Sequence, residues 1–217
     1  MNKTFIIVSG GHIDKEVALK VFEEENRCII GVDKGIEFLY YNKISPDYIL
    51  GDFDSADPKI TEYYREETRI PIKELNPVKD ASDTEVAIKF SMTIGAKEIV
   101  IIGATGGRID HLWANIQSLV VPMKKGVKAT IVDNQNRISV YDDDFDLKKE
   151  DAFGDFFSIF SLDGDIHGLT IKGAKYPLNN HTLAPHDSLS VSNSYAADEV
   201  KVSFNNGTIV LMETKDL

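Results

Sequence analysis

Cysteine is nearly absent from this sequence, and long apolar runs are absent altogether. The single cysteine, Cys28, cannot form a disulfide within the chain, and its place in the apolar stretch CIIGV predicts a small buried side chain. No run approaches the roughly 20 apolar residues of a membrane-spanning helix. The start, MNKTFIIVSGG, has too short an apolar segment for a signal peptide. We therefore expect a cytoplasmic protein without a membrane partner.

Positive charge is also scarce. The chain has 24 lysine and arginine residues against 35 aspartate and glutamate residues, for a formal net charge of −11. This balance argues against nucleic acid as a partner. It suits a cationic substrate, or an anionic substrate that metal ions accompany. The length of 217 residues allows one or two domains with sizeable cores.

Two common catalytic motifs are missing. The sequence contains neither the nucleophile motif GxSxG nor the zinc motif HExxH. Four of the five histidines, His12, His167, His181 and His186, lack the spacing of metal ligands. Surface or loop positions are the simplest interpretation for these four.

The first part of the chain alternates strand-like and helix-like patterns. Strands are predicted at 4–11, 28–33, 46–55 and 98–107, and helices at 14–26, 34–43, 59–67, 82–96 and 108–126. Ser82 followed by Glu85 is the capping-box pattern of a helix start. Such alternation favours a parallel sheet with helices on both faces. Ligands of these sheets bind beyond the carboxyl ends of the strands.

The pattern changes after residue 128 to short, alternating, β-branched segments. The stretch FNNGTIVLM (204–212) carries an Asn-Gly signal that predicts a hairpin. We therefore predict two domains, an α/β domain over 1–134 with a mostly parallel sheet and an all-β domain over 135–217. The second domain is predicted to be a sandwich or a barrel.

The segment GDFDS (51–55) places two carboxylates in five residues after an apolar run. If it is extended, Asp52 and Asp54 point the same way, about 7 Å apart at Cα, and Phe53 points into the core. Like charges at this distance favour a hard divalent cation between them. Two solvated side chains in a polar loop remain the alternative.

Two further aspartates lie where a predicted strand ends or a predicted helix begins. Asp83 in KDASDTE (79–85) lies in the first turn of a predicted helix, and Asp33 ends a predicted strand. Both have ordinary alternatives, because Asp83 can stabilise the helix dipole and Asp33 can cap the next helix.

The segment GATGGRIDH (103–111) follows a strand and opens a helix. Gly106 and Gly107 allow close backbone approach, and the free N–H groups of a helix start suit a phosphate. Arg108 adds a charged fork, and Asp110 and His111 follow in the first turn. A tight turn with Asp110 favouring the dipole is the alternative. Together the acidic pairs and the Gly-Arg turn favour metal-assisted phosphoryl transfer.

The sequence resembles the thiamine pyrophosphokinase family in three segments, which occur in the order GDFDS (51–55), KDASDTE (79–85) and GATGGRIDHLWANI (103–116). The resemblance extends to KYPL (175–178) and VSNS (191–194) and covers essentially the whole chain. It implies an α/β nucleotide-binding domain followed by a thiamine-binding β-sandwich. It also implies a homodimer with active sites between subunits, ATP and thiamine as substrates and Mg²⁺ as cofactor. The implied reaction moves a pyrophosphoryl group from ATP to the hydroxyl of thiamine and releases AMP.

The resemblance also implies a role for individual residues. The implied metal ligands are Asp52, Asp54 and Asp83. The implied catalytic residues are these three with Asp33, Arg108 and Asp110. The implied ATP contacts are Lys79, Gly106, Gly107, Arg108 and His111, and the implied thiamine contacts are Tyr176, Ser192 and Asn193.

The sequence departs from the family pattern at three places. Ser82 stands where the family commonly has Thr, which keeps the hydroxyl, and Ser194 stands where many bacterial members have Glu. Animal members of the family stack a tryptophan near this motif on thiamine. The only tryptophan here, Trp113, lies in the first domain, so another residue must stack on thiamine. Two alternatives follow: a nucleotide-dependent transferase with another acceptor, and a binding protein that senses thiamine or a nucleotide without turnover.

Overall fold

A computed structural model describes residues 3–76 and 80–216 of the chain. The chain divides into two compact units, Met1–Asn134 and Gln135–Leu217. Lys79, an implied ATP contact, lies outside the described residues. Among the described residues, no helix combines the length and the apolar character that crossing a bilayer requires.

The first unit contains a parallel sheet and the helices that connect its strands. The strands are β1 (Thr4–Val8), β2 (Arg27–Val32), β3 (Tyr48–Gly51), β4 (Ile72–Glu74), β5 (Glu98–Ile102) and β6 (Lys128–Val132). The helices are α1 (Lys15–Val21), α2 (Gly35–Tyr41), α3 (Pro58–Glu66), α4 (Asp83–Thr93), α5 (Ile109–Ser118) and α6 (Val120–Met123). All five strand pairings are parallel, in the order β4-β3-β2-β1-β5-β6. The predicted α/β class with a mostly parallel sheet is confirmed.

This strand order contains one point at which the chain reverses direction across the sheet. From β1 the chain adds β2, β3 and β4 on one side, and it then returns to place β5 on the other side. The connections that leave β1 and β5 therefore diverge, which opens a crevice at the carboxyl ends of these two strands. β1 is buried at all five positions, as a central strand covered on both faces must be.

Side-chain caps start three of these helices. Asp14 accepts a hydrogen bond from the Val17 N–H of α1 at 3.0 Å, and Ser82 accepts one from the Glu85 N–H of α4 at 3.2 Å. Asp57 caps α3 in the same way through the Lys59 N–H at 2.9 Å. The helix starts predicted at Asp14 and Ser82 are confirmed because a cap depends only on neighbouring residues.

The single helix predicted over 108–126 is wrong. Helix α5 ends at Ser118, and the short α6 begins at Val120. Pro122 has no N–H to donate to the Ser118 carbonyl, and its ring would press against that carbonyl in a continuous helix. The chain therefore turns at Leu119 before the second helix begins.

The second unit is a β-sandwich. Its strands are β7 (Asn136–Tyr141), β8 (Phe145–Lys148), β9 (Phe156–Ser161), β10 (Ile166–Lys172), β11 (Leu178–Leu183), β12 (Glu199–Ser203) and β13 (Ile209–Thr214), with a short 3-10 helix at Lys149–Asp151. They form two antiparallel sheets, β7-β13-β9 and β11-β10-β12-β8. One hydrophobic core joins both sheets, with Phe157 and Leu211 from the first and Ile171 and Val200 from the second. The sandwich prediction is confirmed.

The hairpin predicted at 204–212 is wrong, because β12 and β13 belong to different sheets of the sandwich. The loop between them bonds to another turn. Asn206 accepts from the His167 N–H at 3.0 Å, and Asp163 accepts from the Thr208 N–H at 2.9 Å. These contacts hold the loop as a crossing between the sheets, and Gly207 supplies the positive φ of 90° that the Asn-Gly signal anticipated.

Cys28 is 1% exposed in β2, which confirms the prediction of a buried side chain. Burial, with a smaller contribution from Asp47, raises the pKa of its thiol to about 11. The group therefore stays protonated and apolar at neutral pH.

Candidate active site

A cleft of about 350 Å³ lies at the crevice between the ends of β1 and β5. Two turns approach each other there, and the Gly11 N–H donates to the Gly103 carbonyl at 2.8 Å. A Cβ at Gly11 would lie 2.5 Å from that carbonyl oxygen, so a side chain does not fit. The predicted residues that line the cleft are Asp33, Asp83, Gly106, Gly107, Arg108 and His111.

The GDFDS segment forms a turn at the edge of this cleft. Strand β3 ends at Gly51, and Phe53 adopts a left-handed conformation with a φ of 59°. The prediction of an extended segment is therefore wrong. The Asp54 N–H donates to Asp52 Oδ1 at 3.3 Å, which is an Asx-type turn. Phe53 is 8% exposed and packs in a core cluster with Ile60, so its predicted inward direction is confirmed.

This turn brings three carboxylates together. Asp33, Asp52 and Asp54 each offer an oxygen within 4.8 Å of the other two. Asp33 reaches the group from the end of β2, where its N–H donates to the Leu50 carbonyl of β3 at 2.9 Å. Asp83, the third metal ligand that the resemblance implies, lies outside this group, at the first position of α4 in the cleft lining.

The surroundings of the two Asp33 carboxylate oxygens show whether a metal ion fits here. Its Oδ2 accepts from the Ser55 hydroxyl at 2.7 Å, while its Oδ1 is buried without a hydrogen-bond partner among the described residues. A buried carboxylate oxygen without a donor costs free energy. Together with the carboxylates of Asp52 and Asp54, Asp33 supplies the oxygen donors that Mg²⁺ prefers, so these residues fit a divalent cation.

The Gly-rich turn after β5 presents its backbone to the cleft. Gly106 and Gly107 have φ values of 80° and 72°, which favour glycine. The turn leads into the ten-residue helix α5, which begins at Ile109 and has no side-chain cap. The His111 N–H donates to Asp110 Oδ1, which leaves the N–H groups of Ile109 and Asp110 at the helix start to face an anion.

Arg108 and Asp110 form a two-point ion pair at this turn. Arg108 Nε and Nη2 lie 3.1 and 2.5 Å from the two carboxylate oxygens of Asp110. The hydrogen bond from Arg108 lowers the pKa of Asp110, and the pair raises the pKa of Arg108. Asp110 also accepts from the His111 N–H at 3.0 Å. Asp110 thus orients Arg108, which lines the cleft.

Several polar residues of the cleft lay outside the predicted set. Ser9 and Thr84 share a buried hydrogen bond of 3.0 Å between their hydroxyl oxygens, which joins the end of β1 to the first turn of α4. Asn115 donates to the Ala104 carbonyl at 2.9 Å and holds the Gly-rich turn. Its position one turn after His111 was a usable signal. No sequence pattern links Ser9 to Thr84, because they are 75 positions apart.

The three predicted thiamine contacts lie in the second unit, where Asn193 is 1% exposed. Its Oδ1 accepts from the Tyr176 N–H at 3.0 Å, and its Nδ2 donates to the Tyr176 carbonyl at 2.8 Å. Tyr176 itself is 56% exposed. Ser192 is exposed with a φ of 56°, and its N–H donates to the Ser158 hydroxyl at 3.0 Å. Asn193 therefore holds the segment that presents Tyr176.

Comparison with known proteins gives matches over both units. Residues 19–131 match the sequence model described as "Thiamin pyrophosphokinase, catalytic domain", and residues 144–209 match "Thiamin pyrophosphokinase, vitamin B1 binding domain". The chain is 33% identical to the thiamine pyrophosphokinase of Bacillus subtilis (strain 168), over 99% of this chain and 100% of that protein.

Solved structures are similar as well. The crystal structure of thiamine pyrophosphokinase from Bacillus subtilis superimposes with a TM-score of 0.89 at 31% identity, over 99% of this chain and 100% of that chain. The enzyme from Geobacillus thermodenitrificans gives a TM-score of 0.85 at 26% identity, over 100% of this chain and 98% of that chain.

Proposed function

This chain belongs to the thiamine pyrophosphokinase family, and from that premise we propose how its cleft carries out the reaction. The enzyme transfers a pyrophosphoryl group from ATP to the hydroxyl of thiamine. The hydroxyl oxygen forms a bond to the β-phosphorus and loses its proton, the bond from that phosphorus to the α–β bridging oxygen breaks, and AMP leaves with that oxygen. The observation that carries the proposal is the cluster of three carboxylates, Asp33, Asp52 and Asp54. Asp33 lines the same cleft as the turn of Gly106, Gly107 and Arg108.

The phosphates of ATP bind against the turn at 103–108 and the start of α5. Backbone N–H groups and the helix dipole favour phosphate there. Arg108, oriented by Asp110, donates to phosphate oxygens and stabilises the charge that develops as AMP leaves. Lys79 and His111 are further proposed ATP contacts.

Asp33, Asp52 and Asp54 would hold Mg²⁺, with Asp83 lining the cleft from α4. When bound, the ion neutralises phosphate charge that would otherwise meet four carboxylates. The hydrogen bond between Ser9 and Thr84 keeps the first turn of α4, and with it Asp83, in place. Most of the acceleration then comes from positioning and electrostatics.

Tyr176, Ser192 and the segment that Asn193 holds contact thiamine. An exposed tyrosine ring offers a face to the cationic thiazolium or to the pyrimidine, which answers the need for a stacking residue other than Trp113. The net charge of −11 suits a cationic substrate. A homodimer with active sites between subunits, located in the cytoplasm, completes the proposal.

The first experiment separates the nucleotides formed from Mg-ATP with and without thiamine. We expect AMP only when thiamine is present, in amounts that match thiamine diphosphate. ADP in place of AMP would contradict pyrophosphoryl transfer. Binding of thiamine without nucleotide turnover would favour the binding-protein alternative.

The metal assignment is tested by Asp54→Asn. Loss of one carboxylate from the group is expected to lower kcat by about 10²–10³-fold, the scale of removing one electrostatic group from a transition state. Asp57→Asn is the matched control, since Asp57 caps α3 three residues further on and an asparagine caps equally well. Full turnover of Asp54→Asn with an unchanged Mg²⁺ requirement would contradict the assignment.

A further inference from the structure

A second cavity, of about 720 Å³, lies in the first unit between α2, α3 and the loops that follow them. Ligand sites commonly have volumes of about 300–1,000 Å³. No residue that lines this cavity also lines the cleft at β1 and β5. We call it the tyrosine pocket, because Tyr40, Tyr41, Tyr63 and Tyr64 line it.

The four rings of the tyrosine pocket pack edge to face. The ring centroid of Tyr40 lies 4.9 Å from that of Tyr63 and 5.5 Å from that of Tyr41, and those of Tyr63 and Tyr64 are 5.3 Å apart. Tyr64 is 4% exposed and belongs to the core, whereas Tyr40, Tyr41 and Tyr63 are 39%, 67% and 40% exposed. Edge-to-face packing restrains the rings, and the exposed parts of Tyr40, Tyr41 and Tyr63 are accessible to a planar ligand.

The charge of the tyrosine pocket is opposite to that of the whole chain. Lys43 and Arg69 line it and are exposed, and no acidic side chain is among its lining residues. Within 3–76 and 80–216, neither cation has an ion-pair partner. Burial raises the pKa of Tyr64 to about 12, so the interior carries no negative charge at neutral pH. In a chain of net charge −11, two such cations beside aromatic rings suit an anion.

We propose that the tyrosine pocket is a second ligand site, for a planar aromatic molecule that carries phosphate. The rings bind the planar part, and Arg69 and Lys43 bind the phosphate, for which a guanidinium is suited by its fork of donors. Both products of the reaction, AMP and thiamine diphosphate, have this chemistry. They serve as separate probes, and inorganic phosphate serves as the probe without a ring.

The test follows amide signals of the full chain, labelled with ¹⁵N, during titration with each probe. We expect AMP or thiamine diphosphate to shift signals from 40–45 and 63–70 in a saturable way. Signals from 103–111 report the cleft in the same spectra, so failure at one site is distinguishable from failure at the other. Arg69→Gln and Tyr63→Ala are each expected to weaken binding at the tyrosine pocket about tenfold, with cleft signals unchanged.

Arg65→Gln is the matched control, because Arg65 belongs to the same helix α3 as Tyr63 but pairs with Glu74 at 2.7 Å and does not line the pocket. The affinity of the Arg65→Gln variant for the probes is expected to equal that of the unchanged chain. The proposal is overturned if only cleft signals shift, or if phosphate alone binds as tightly as the aromatic probes. It is also overturned if the pocket signals shift with protein dilution and not with probe, which would make the surface an interface between copies of the chain.

Discussion

At the scale of the residue, Asn193 is proposed to act on thiamine through Tyr176 rather than by direct contact. Its side-chain amide is occupied on both sides, because Oδ1 accepts from the Tyr176 and Ser194 N–H groups and Nδ2 donates to the Tyr176 carbonyl. With 1% of its surface exposed, it has little left to offer thiamine. Its contribution is to position Tyr176, whose side chain is 56% exposed and whose ring centroid lies 5.3 Å from Lys175 Nζ.

Asn193→Asp is therefore expected to act on thiamine and not on ATP. The carboxylate cannot donate to the Tyr176 carbonyl, and a buried charge beside a carbonyl oxygen is unfavourable. We expect KM for thiamine to rise about tenfold, since a lost buried hydrogen bond costs about 1–3 kcal/mol. KM for ATP should stay unchanged in steady-state kinetics.

The control for that variant is Asn179→Asp, an exposed position on β11 in the same unit. It should leave both KM values unchanged. If Asn193→Asp raised KM for ATP as much as KM for thiamine, its effect would be a general loss of structure.

At the scale of the element, helices α1 and α4 begin in the same way but have different roles. In each helix the N-cap side chain, Asp14 in α1 and Ser82 in α4, accepts a hydrogen bond from the backbone N–H three residues later. Only the first turn of α4 carries residues into the cleft, namely Asp83 and Thr84. The same local device is structural in one helix and positions the site in the other.

Removing each cap separates these two effects. Ser82→Ala and Asp14→Ala are both expected to lower the free energy of unfolding by about 1 kcal/mol, measured in urea. Only Ser82→Ala should also raise KM for ATP, because its helix start carries Asp83. Ser82→Thr, which keeps the hydroxyl, should restore both properties. Equal losses of activity in the two alanine variants would contradict this account.

At the scale of the whole molecule, the proposed site residues are divided between two units. The phosphate and metal residues lie in Met1–Asn134, and Tyr176, Ser192 and Asn193 lie in Gln135–Leu217. In the proposed homodimer with active sites between subunits, every site would take one unit from each chain. Such an arrangement allows two defective chains to complement each other.

Mixing variants tests this arrangement. Chains with Asp54→Asn, unfolded and refolded with chains that carry both Tyr176→Ala and Asn193→Asp, are expected to recover about a quarter of normal activity at low thiamine. Random pairing in a two-fold dimer makes half of the dimers mixed, each with one complete site. A mixture of Asp54→Asn with Asp33→Asn should recover none, since both defects lie in the same unit. Equal inactivity of both mixtures would contradict sites between subunits.

Much of this fold follows from short-range signals that a sequence displays. Strand and helix positions follow from hydrophobic periodicity, and the starts of α1 and α4 follow from caps at Asp14 and Ser82. The helix predicted over 108–126 failed on a local signal as well, the proline at 122, whereas the failed hairpin is of a different kind. The 204–212 segment contains a good hairpin turn, yet β12 and β13 each pack in their own sheet of the sandwich. Tertiary packing overrode a correct local turn signal.

The same division holds for the candidate site. The sequence by itself determined which chemistry is present: carboxylates after β2 and β3, glycines and Arg108 after β5, and the acidic first turn of α4. These depend on residue type and on neighbours within one turn. Only the tertiary structure decided that Asp33 joins Asp52 and Asp54, that Ser9 meets Thr84, and that Asn193 holds Tyr176. Each of these contacts joins residues at least 17 positions apart, and sheet order and packing, rather than local preference, bring such residues together.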